Sequence, residues 1–231
     1  MKKVSRWLRN ILIFFFTSTI LSVVILKYIP VYVTPLMLIR AVEAVMHGDS
    51  PEINHHWVSL DRITHHLPQA VMASEDNLFL KHSGFDLEQI QKAQLEAREG
   101  KRQRGASTIS QQTARNVFLW QKRSWLRKGL EAYFTFLIEK IWGKERIMEV
   151  YLNSIEMGRG IYGADAVARL HFGTTPDRLT RSQCAYIAVS LPNPLERDSG
   201  HPSARMRKMH NTILKRMNQI DTFPRDACAR Y

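Results

Sequence analysis

Between Ile11 and Ile29 almost every residue is apolar (ILIFFFTSTILSVVILKYI), interrupted only by small hydroxyl side chains and Lys27. Counted from Trp7, the run is long enough to cross the roughly 30 Å hydrocarbon core of a bilayer as one helix. Trp7 and Tyr28 stand where interfacial rings belong, and Lys27 can reach toward headgroups. Beyond Pro30 the pattern breaks into shorter amphipathic segments. Leu36, Ile39, Ala41, Val42 and Val45 predict a helix over residues 34–47, stopped by Gly48-Asp49-Ser50-Pro51. A looser stretch runs to about Leu67, and from Pro68 onward the pattern is helical almost throughout. Asp86, with Gln89 three residues later, opens a helix that ends near Gly100. A basic loop, Lys101 to Gly105, follows; Ser107 or Thr108 then caps a helix to about Asn116. Over residues 123–142, Leu126, Leu130, Tyr133, Phe134, Leu137, Ile138 and Ile141 recur at three- and four-residue spacing, with Arg127, Lys128, Glu131 and Glu139 on the other faces. Further helices are predicted over 144–153, 163–171, 181–190 and 203–220. Thr180 and Gln183 form a capping-box signature for the third, and Pro192 stops it. No segment alternates over strand length. The expectation is a mainly α protein with one N-terminal transmembrane helix: residues 1–30 as tail and anchor, residues 31–231 as one exported domain.

Charge adds direction. Lys2, Lys3, Arg6 and Arg9 precede the apolar run, which keeps the N-terminus cytoplasmic. No small-x-small cleavage site follows it; Tyr28-Ile29-Pro30-Val31-Tyr32 does, so a retained anchor is expected rather than a removed signal peptide. The chain carries 33 Lys and Arg against 21 Asp and Glu, a net charge of +12. Outside a membrane, that excess points to anionic lipid or a phosphorylated substrate and away from nucleic acid. Cys184 and Cys228 either pair or remain two separate thiols. The pairs His55-His56 and His65-His66 lack an accompanying cysteine or carboxylate cluster, and no metal site is assigned to them.

Two stretches carry polar chemistry. In Glu75-Asp76-Asn77-Leu78-Phe79-Leu80-Lys81-His82-Ser83-Gly84-Phe85-Asp86, a carboxylate flanked by Phe79 and Phe85 could be desolvated, raising its pKa toward the range of a general base. Solvated acids at a helix-turn-helix are the plainer alternative. In Gly105-Ala106-Ser107-Thr108-Ile109-Ser110-Gln111-Gln112-Thr113-Ala114-Arg115-Asn116, small residues open a helix whose N-terminus favours an anion. Tandem glutamines offer neutral donors and acceptors suited to sugars. Arg115, Arg123, Arg127 and Lys128 are spaced to surround one anionic group, or to lie on a solvated helix face.

In this order, five blocks resemble the peptidoglycan glycosyltransferase family, which comprises monofunctional enzymes and the N-terminal domains of bifunctional penicillin-binding proteins. The blocks are EDNLFLKHSGFD, GASTISQQTARN, RSWLRKGLEA, ERIMEVYLNSIEMGRGIYGADAVARLHFG and LTRSQCAYIAVSLPNPLERD, spread over about Leu60 to Ile220. With one span and no transpeptidase domain, the chain is similar to the monofunctional members. The resemblance implies a lysozyme-like helical fold with a small hydrophobic part dipping into the membrane, to which Val117 to Trp120 and Trp125 would contribute; core packing explains these residues about as well. It implies polymerisation of lipid II into linear glycan with release of undecaprenyl diphosphate, at the periplasmic face of the inner membrane. Glu75 then matches the catalytic base, which deprotonates the acceptor 4-hydroxyl for an inverting attack. Glu131 matches a second acid that orients groups or helps bind a divalent cation such as Mg or Mn. Arg115 and Arg123 match cations near the diphosphate, and Gln111 and Gln112 the paired glutamines near the substrate. Asp76, His82, Ser107, Thr108, Asn116, Arg127 and Lys128, from the same blocks, complete the expected substrate-binding set. Lipid II and the growing glycan are the implied partners, with penicillin-binding or divisome proteins as further candidates.

Three positions depart from the family pattern: Arg115 where lysine is usual, Arg159 where an acid is common, and His171 where tyrosine is usual. The competing readings are a lytic transglycosylase or muramidase on a similar fold, and a membrane-tethered scaffold without activity. The cations suited to a diphosphate and the second acid, Glu131, argue against the lytic reading; conversion of lipid II into glycan separates all three.

Overall fold

The computed structural model describes residues 2–100 and 107–224, with side chains from Ser5 onward. The predicted basic loop, the first two residues of the GASTISQQTARN block and Cys228 lie outside the described residues. So do the side chains of Lys2 and Lys3. Cys184 is buried, which pushes its thiol pKa far up.

Ten helices dominate the described residues: α1 Lys2–Tyr28, α2 Pro35–Met46, α3 His66–Glu75, α4 Leu87–Arg98, α5 Ile109–Phe118, α6 Trp125–Ile141, α7 Gly143–Ser154, α8 Gly163–Phe172, α9 Arg181–Ser190 and α10 Ala204–Arg216. Their starts are set by local side-chain chemistry. Thr34, Asp86, Thr108, Ser124, Thr180 and Ser203 each accept a hydrogen bond from the backbone N–H three residues on. At Thr108 and Thr180 the cap is reciprocal, through Gln111 and Gln183. Thr108, not Ser107, is therefore the cap of α5. Three strands of two or three residues, β1 Asn54–His55, β2 Glu156–Gly158 and β3 Ile161–Tyr162, form a small sheet in the order β1-β3-β2. β1 runs parallel to β3, and β2 antiparallel. They are too short for a period of two to register in sequence, which is why the strand-free expectation missed them.

α5 is the interior helix. It packs between α6 and α7, while α3 packs on α9 and α9 on α10. Ile109, Ala114, Ile138, Ile147, Met148 and Leu152 are buried around it. Two glycines let the fourth block close on itself and the first close on α6. Gly163 has φ +80°, and a Cβ there would stand 2.6 Å from the Asn153 carbonyl oxygen. Gly84 has φ +89°, and its Cβ would lie 2.8 Å from Thr135 Cγ2. Asn153 clips α7 to the chain ahead of it, accepting from the Val58 N–H and donating to the Val58 carbonyl, both at 2.8 Å.

Within α1, Ser5–Tyr28 is long and apolar enough to cross a membrane, with a mean hydropathy of 2.1. Its second half leans on the helical domain. The Thr19 and Tyr133 hydroxyls meet at 2.9 Å, and Trp142 Nε1 donates to the Val23 carbonyl at 2.7 Å. Arg146 donates to the carbonyls of Leu26 and Ile29, satisfying acceptors that the helix end leaves free.

Between membrane surface and core, the two readings open for residues 117–120, the structure favours core: Val117 and Leu119 are buried, and Phe118 stacks on Phe134 with centroids 4.4 Å apart. Trp125, 93% exposed, is the residue of that set left outside. On α6, Leu126 is exposed whereas Arg127 and Glu131 are buried, the reverse of the faces their polarity suggests.

Candidate active site

Eight of the ten residues of α5 are buried, among them Ser110, Gln111, Gln112, Thr113 and Asn116. Polar groups on an interior helix must find partners, so each one's partner identifies its task. The tandem glutamines divide the work. Gln111 Oε1 accepts from the Thr108 N–H at 3.0 Å, which commits it to the cap. Gln112, one residue on, points elsewhere and donates from Nε2 to Glu75 Oε2 at 3.0 Å.

Glu75 ends α3 and is half-buried. The Ser74 hydroxyl lies 3.1 Å from Glu75 Oε1 and 3.0 Å from the Ala188 carbonyl, its single proton shared between the two. Burial raises the Glu75 pKa above the usual carboxylate range; the bonds from Gln112 and Ser74 and the charge of Arg197 oppose that rise without cancelling it. Arg197 is anchored by its bond to the Val189 carbonyl at 3.0 Å. This is an acid poised to exchange a proton.

Asp76, its neighbour, has a different task. It is buried, and its two oxygens lie 2.9 and 3.0 Å from His82 Nε2. The Gly84 N–H donates to His82 Nδ1 at 3.1 Å, so Nε2 carries the proton that Asp76 accepts. Asp76 Oδ2 also accepts from the Ile109 N–H at 3.0 Å, in the first turn of α5. Thr108 Oγ1 donates to the Gly84 carbonyl at 2.7 Å. The anion met at this helix N-terminus is the protein's own carboxylate. Asp76, His82, Thr108 and Gln111 brace the loop after Glu75 against α5. Ser107, half-buried beside them, makes no hydrogen bond among the described residues, and Asn116 is buried near the far end of α5.

The cations gather on the other side of Gln112. Arg127 Nη1 donates to Glu131 Oε2 at 2.6 Å, and Lys128 pairs with Glu131 Oε1. Glu131 is 1% exposed, yet both its oxygens are matched to cations, as a buried charge requires. That pairing explains why the polar residues of α6 turn inward. Arg115, one turn beyond Gln112, is half-buried, and its Nε is buried without a hydrogen-bond partner among the described residues. Burial lowers its pKa; Glu131 opposes the shift, while Arg127 and Arg123 reinforce it. Arg123 is exposed at the rim. Glu131 is paired with Arg127 and Lys128 and acts on Arg115 at longer range, so one carboxylate faces three cations, with Arg123 close enough for its charge to act on Arg115. A divalent cation does not fit here. Both oxygens of Glu131 already hold cationic nitrogens, and among the described residues no three His, Cys, Asp or Glu side chains converge as ligands.

Tyr151 joins the two halves. It is fully buried on α7, donates to Gln112 Oε1 at 3.3 Å, and feels the charges of both Glu75 and Arg115. Sequence reasoning missed it, together with Ser74 and Arg197. A tyrosine within an apolar helix face reads as core, and the polar tip alone was a weak signal.

The departures also find places. His171 Nδ1 lies 2.7 Å from Ser199 Oγ and 3.3 Å from Asp198, tying the end of α8 to the loop before α10. Arg159 is exposed and lines a cavity of about 620 Å³ with Arg40, Glu43, Glu52 and Glu156, away from Glu75.

A family model described as Transglycosylase matches residues 43–218. Among curated proteins, the chain is 59% identical over 223 residues to the biosynthetic peptidoglycan transglycosylase of Bacteroides thetaiotaomicron, covering 96% of this chain and 90% of that one. It is 50% identical over 197 residues to the protein of the same name from Caulobacter vibrioides, with 84% and 83% covered. The Pseudomonas entomophila protein, again of that name, is 45% identical over 215 residues, with 93% and 91% covered.

Proposed function

The chain belongs to the transglycosylase family, and from that premise we propose that it is a peptidoglycan glycosyltransferase polymerising lipid II into linear glycan strands with release of undecaprenyl diphosphate. The observation that carries the reading is the pairing of a desolvated carboxylate, Glu75, with a cation group that one carboxylate cannot neutralise, across a single buried tyrosine. Glu75 accepts the proton of the acceptor 4-hydroxyl. The freed oxygen pair bonds to the anomeric carbon of the lipid-linked donor, and the carbon–oxygen bond to the diphosphate breaks with its electrons leaving on the diphosphate. Arg115, backed by Arg123, Arg127 and Lys128, meets that charge as it develops. Glu131 touches no reacting atom in this scheme; it holds Arg127 and Lys128 in place. Gln112 steadies Glu75, and Asp76, His82, Thr108 and Gln111 position the helix that carries the site.

A glycan-cutting enzyme would also use a carboxyl of raised pKa, but it has no diphosphate to hold, and the cation group would have no purpose. Purified lipid II supplied to the full chain separates the readings: long glycan is expected, and cleavage of preformed glycan without synthesis, or no reaction, would overturn the proposal.

α1 is the anchor of this enzyme in the inner membrane, with the N-terminus cytoplasmic and residues 31–231 in the periplasm. The support is the apolar run of α1 and the basic residues ahead of it. A reporter fused after Tyr231 is expected to be active only when it requires export; activity of a cytoplasm-dependent reporter would reverse the topology.

A further inference from the structure

A glutamine amide has two faces of opposite character, and a buried glutamine beside a carboxylate must present the right one. Gln112 turns Nε2 to Glu75 Oε2 at 3.0 Å and Oε1 to the Tyr151 hydroxyl at 3.3 Å. Tyr151 is 0% exposed, and among the described residues Gln112 is its hydroxyl's hydrogen-bond partner. In the reversed amide, the Tyr151 proton would lose its acceptor and Glu75 would face a carbonyl oxygen. Both ends of the chain therefore select one orientation, and an unmade bond in this interior is costly.

We propose that Tyr151 is a positioning residue for the transfer reaction: its hydroxyl locks the Gln112 amide so that Glu75 is always offered an N–H donor. The proposal rests on Glu75 being the base. Burial and the neighbouring charge of Glu75 hold the Tyr151 phenol well above its ordinary pKa, so it remains a donor throughout the working range. The charged and titratable groups around Glu75 are Asp76 just past the end of α3, Tyr151 on α7 and Arg197 after α9, with Arg115 on α5 facing Tyr151. None of these charges is altered when Tyr151 becomes phenylalanine. What changes is the time for which the Glu75 carboxylate has its Gln112 donor. A carboxylate that loses a donor is harder to ionise, so the base becomes available only at higher pH.

The test is the pH dependence of kcat for lipid II polymerisation by the purified full chain. Tyr151→Phe is expected to move the acid limb upward by about one pH unit, the scale of a lost bond to a charged group, with recovery toward the wild-type rate on the alkaline side. Gln112→Met should move the limb in the same direction, and the double variant should add nothing further, because both remove one link. An unmoved midpoint with kcat lowered equally at every pH, or additive shifts in the double variant, would overturn the proposal. If Tyr151→Phe does not fold, the midpoint of Gln112→Met decides: an unmoved one also overturns it. Titration of the Glu75 carboxyl carbon by NMR, assigned by its loss in Glu75→Gln, reads the same shift without turnover. Should Glu75→Gln retain activity, the base assignment fails, while this titration still decides the role of Tyr151.

Discussion

Glu75→Gln is expected to lower lipid II polymerisation by about 10³-fold or more, within the range that a positioned general base supplies, while the folded protein persists. The amide keeps the shape of the carboxylate and can still accept from Gln112, so the loss isolates proton transfer. Stability should move the other way. Burial raises the folded-state pKa of Glu75 above its ordinary value. Such a group favours the folded state fully only below its unfolded pKa, and that advantage is lost as pH rises through the folded pKa. Above its unfolded pKa, and so at neutral pH, Glu75 is thus a cost to folding that glutamine removes. The midpoint of thermal unfolding of Glu75→Gln should equal or exceed that of the wild type at pH 7, and the gap should close as the pH is lowered. Substantial turnover in the folded variant would remove Glu75 from the role. A marked fall in the unfolding midpoint would mean that the carboxylate serves the fold instead.

How much of this was legible beforehand depends on whether the deciding interaction is local. Helix starts were readable because an N-cap is a contact within four residues: Asp86 with Gln89 and Thr180 with Gln183 stand where their spacing places them. The apolar run of α1 was readable as a helix long enough to span a bilayer, because length and polarity suffice to state that much. What escaped was set by partners distant in the chain. Arg127 and Glu131 are polar and were assigned to outer faces, since charged residues are rarely buried unless paired; here they pair with each other, and the interior accepts them. Gln111 and Gln112 look equivalent in sequence, and only the neighbouring Thr108 and the distant Glu75 separate a cap from a contact with the acid. Asp76 stands in the expected substrate-binding set by its block alone, and only the distant Ile109 N–H and the ring of His82 show which groups its oxygens meet. Val117 to Trp120 shows the same limit from the apolar side. Aromatic clustering identifies a hydrophobic surface without saying whether lipid or Phe134 covers it.

The cations set the sharpest division between building and cutting glycan, and the structure ranks them. Arg115 is half-buried, and its Nε is buried with no hydrogen-bond partner among the described residues. Arg123 is exposed, so solvent and salt screen its charge. Arg115→Ala is therefore expected to lower kcat by about 10²-fold or more, as for a lost preorganised donor at a site of developing charge. Arg123→Ala also removes a cation from the leaving-group field; its loss should be smaller and shrink further as ionic strength rises. Since the diphosphate gains charge as its bond to the sugar breaks, the Arg115 deficit should fall mainly on kcat rather than KM. Arg115→Lys restores the positive charge and removes the orphaned Nε, so it should recover most of the rate while losing any bidentate contact to the phosphate oxygens. Steady-state kinetics on lipid II at two salt concentrations checks all three variants together. Near-wild-type rates in both alanine variants would make these arginines a solvated surface and end the diphosphate assignment, whatever Glu75 proves to do.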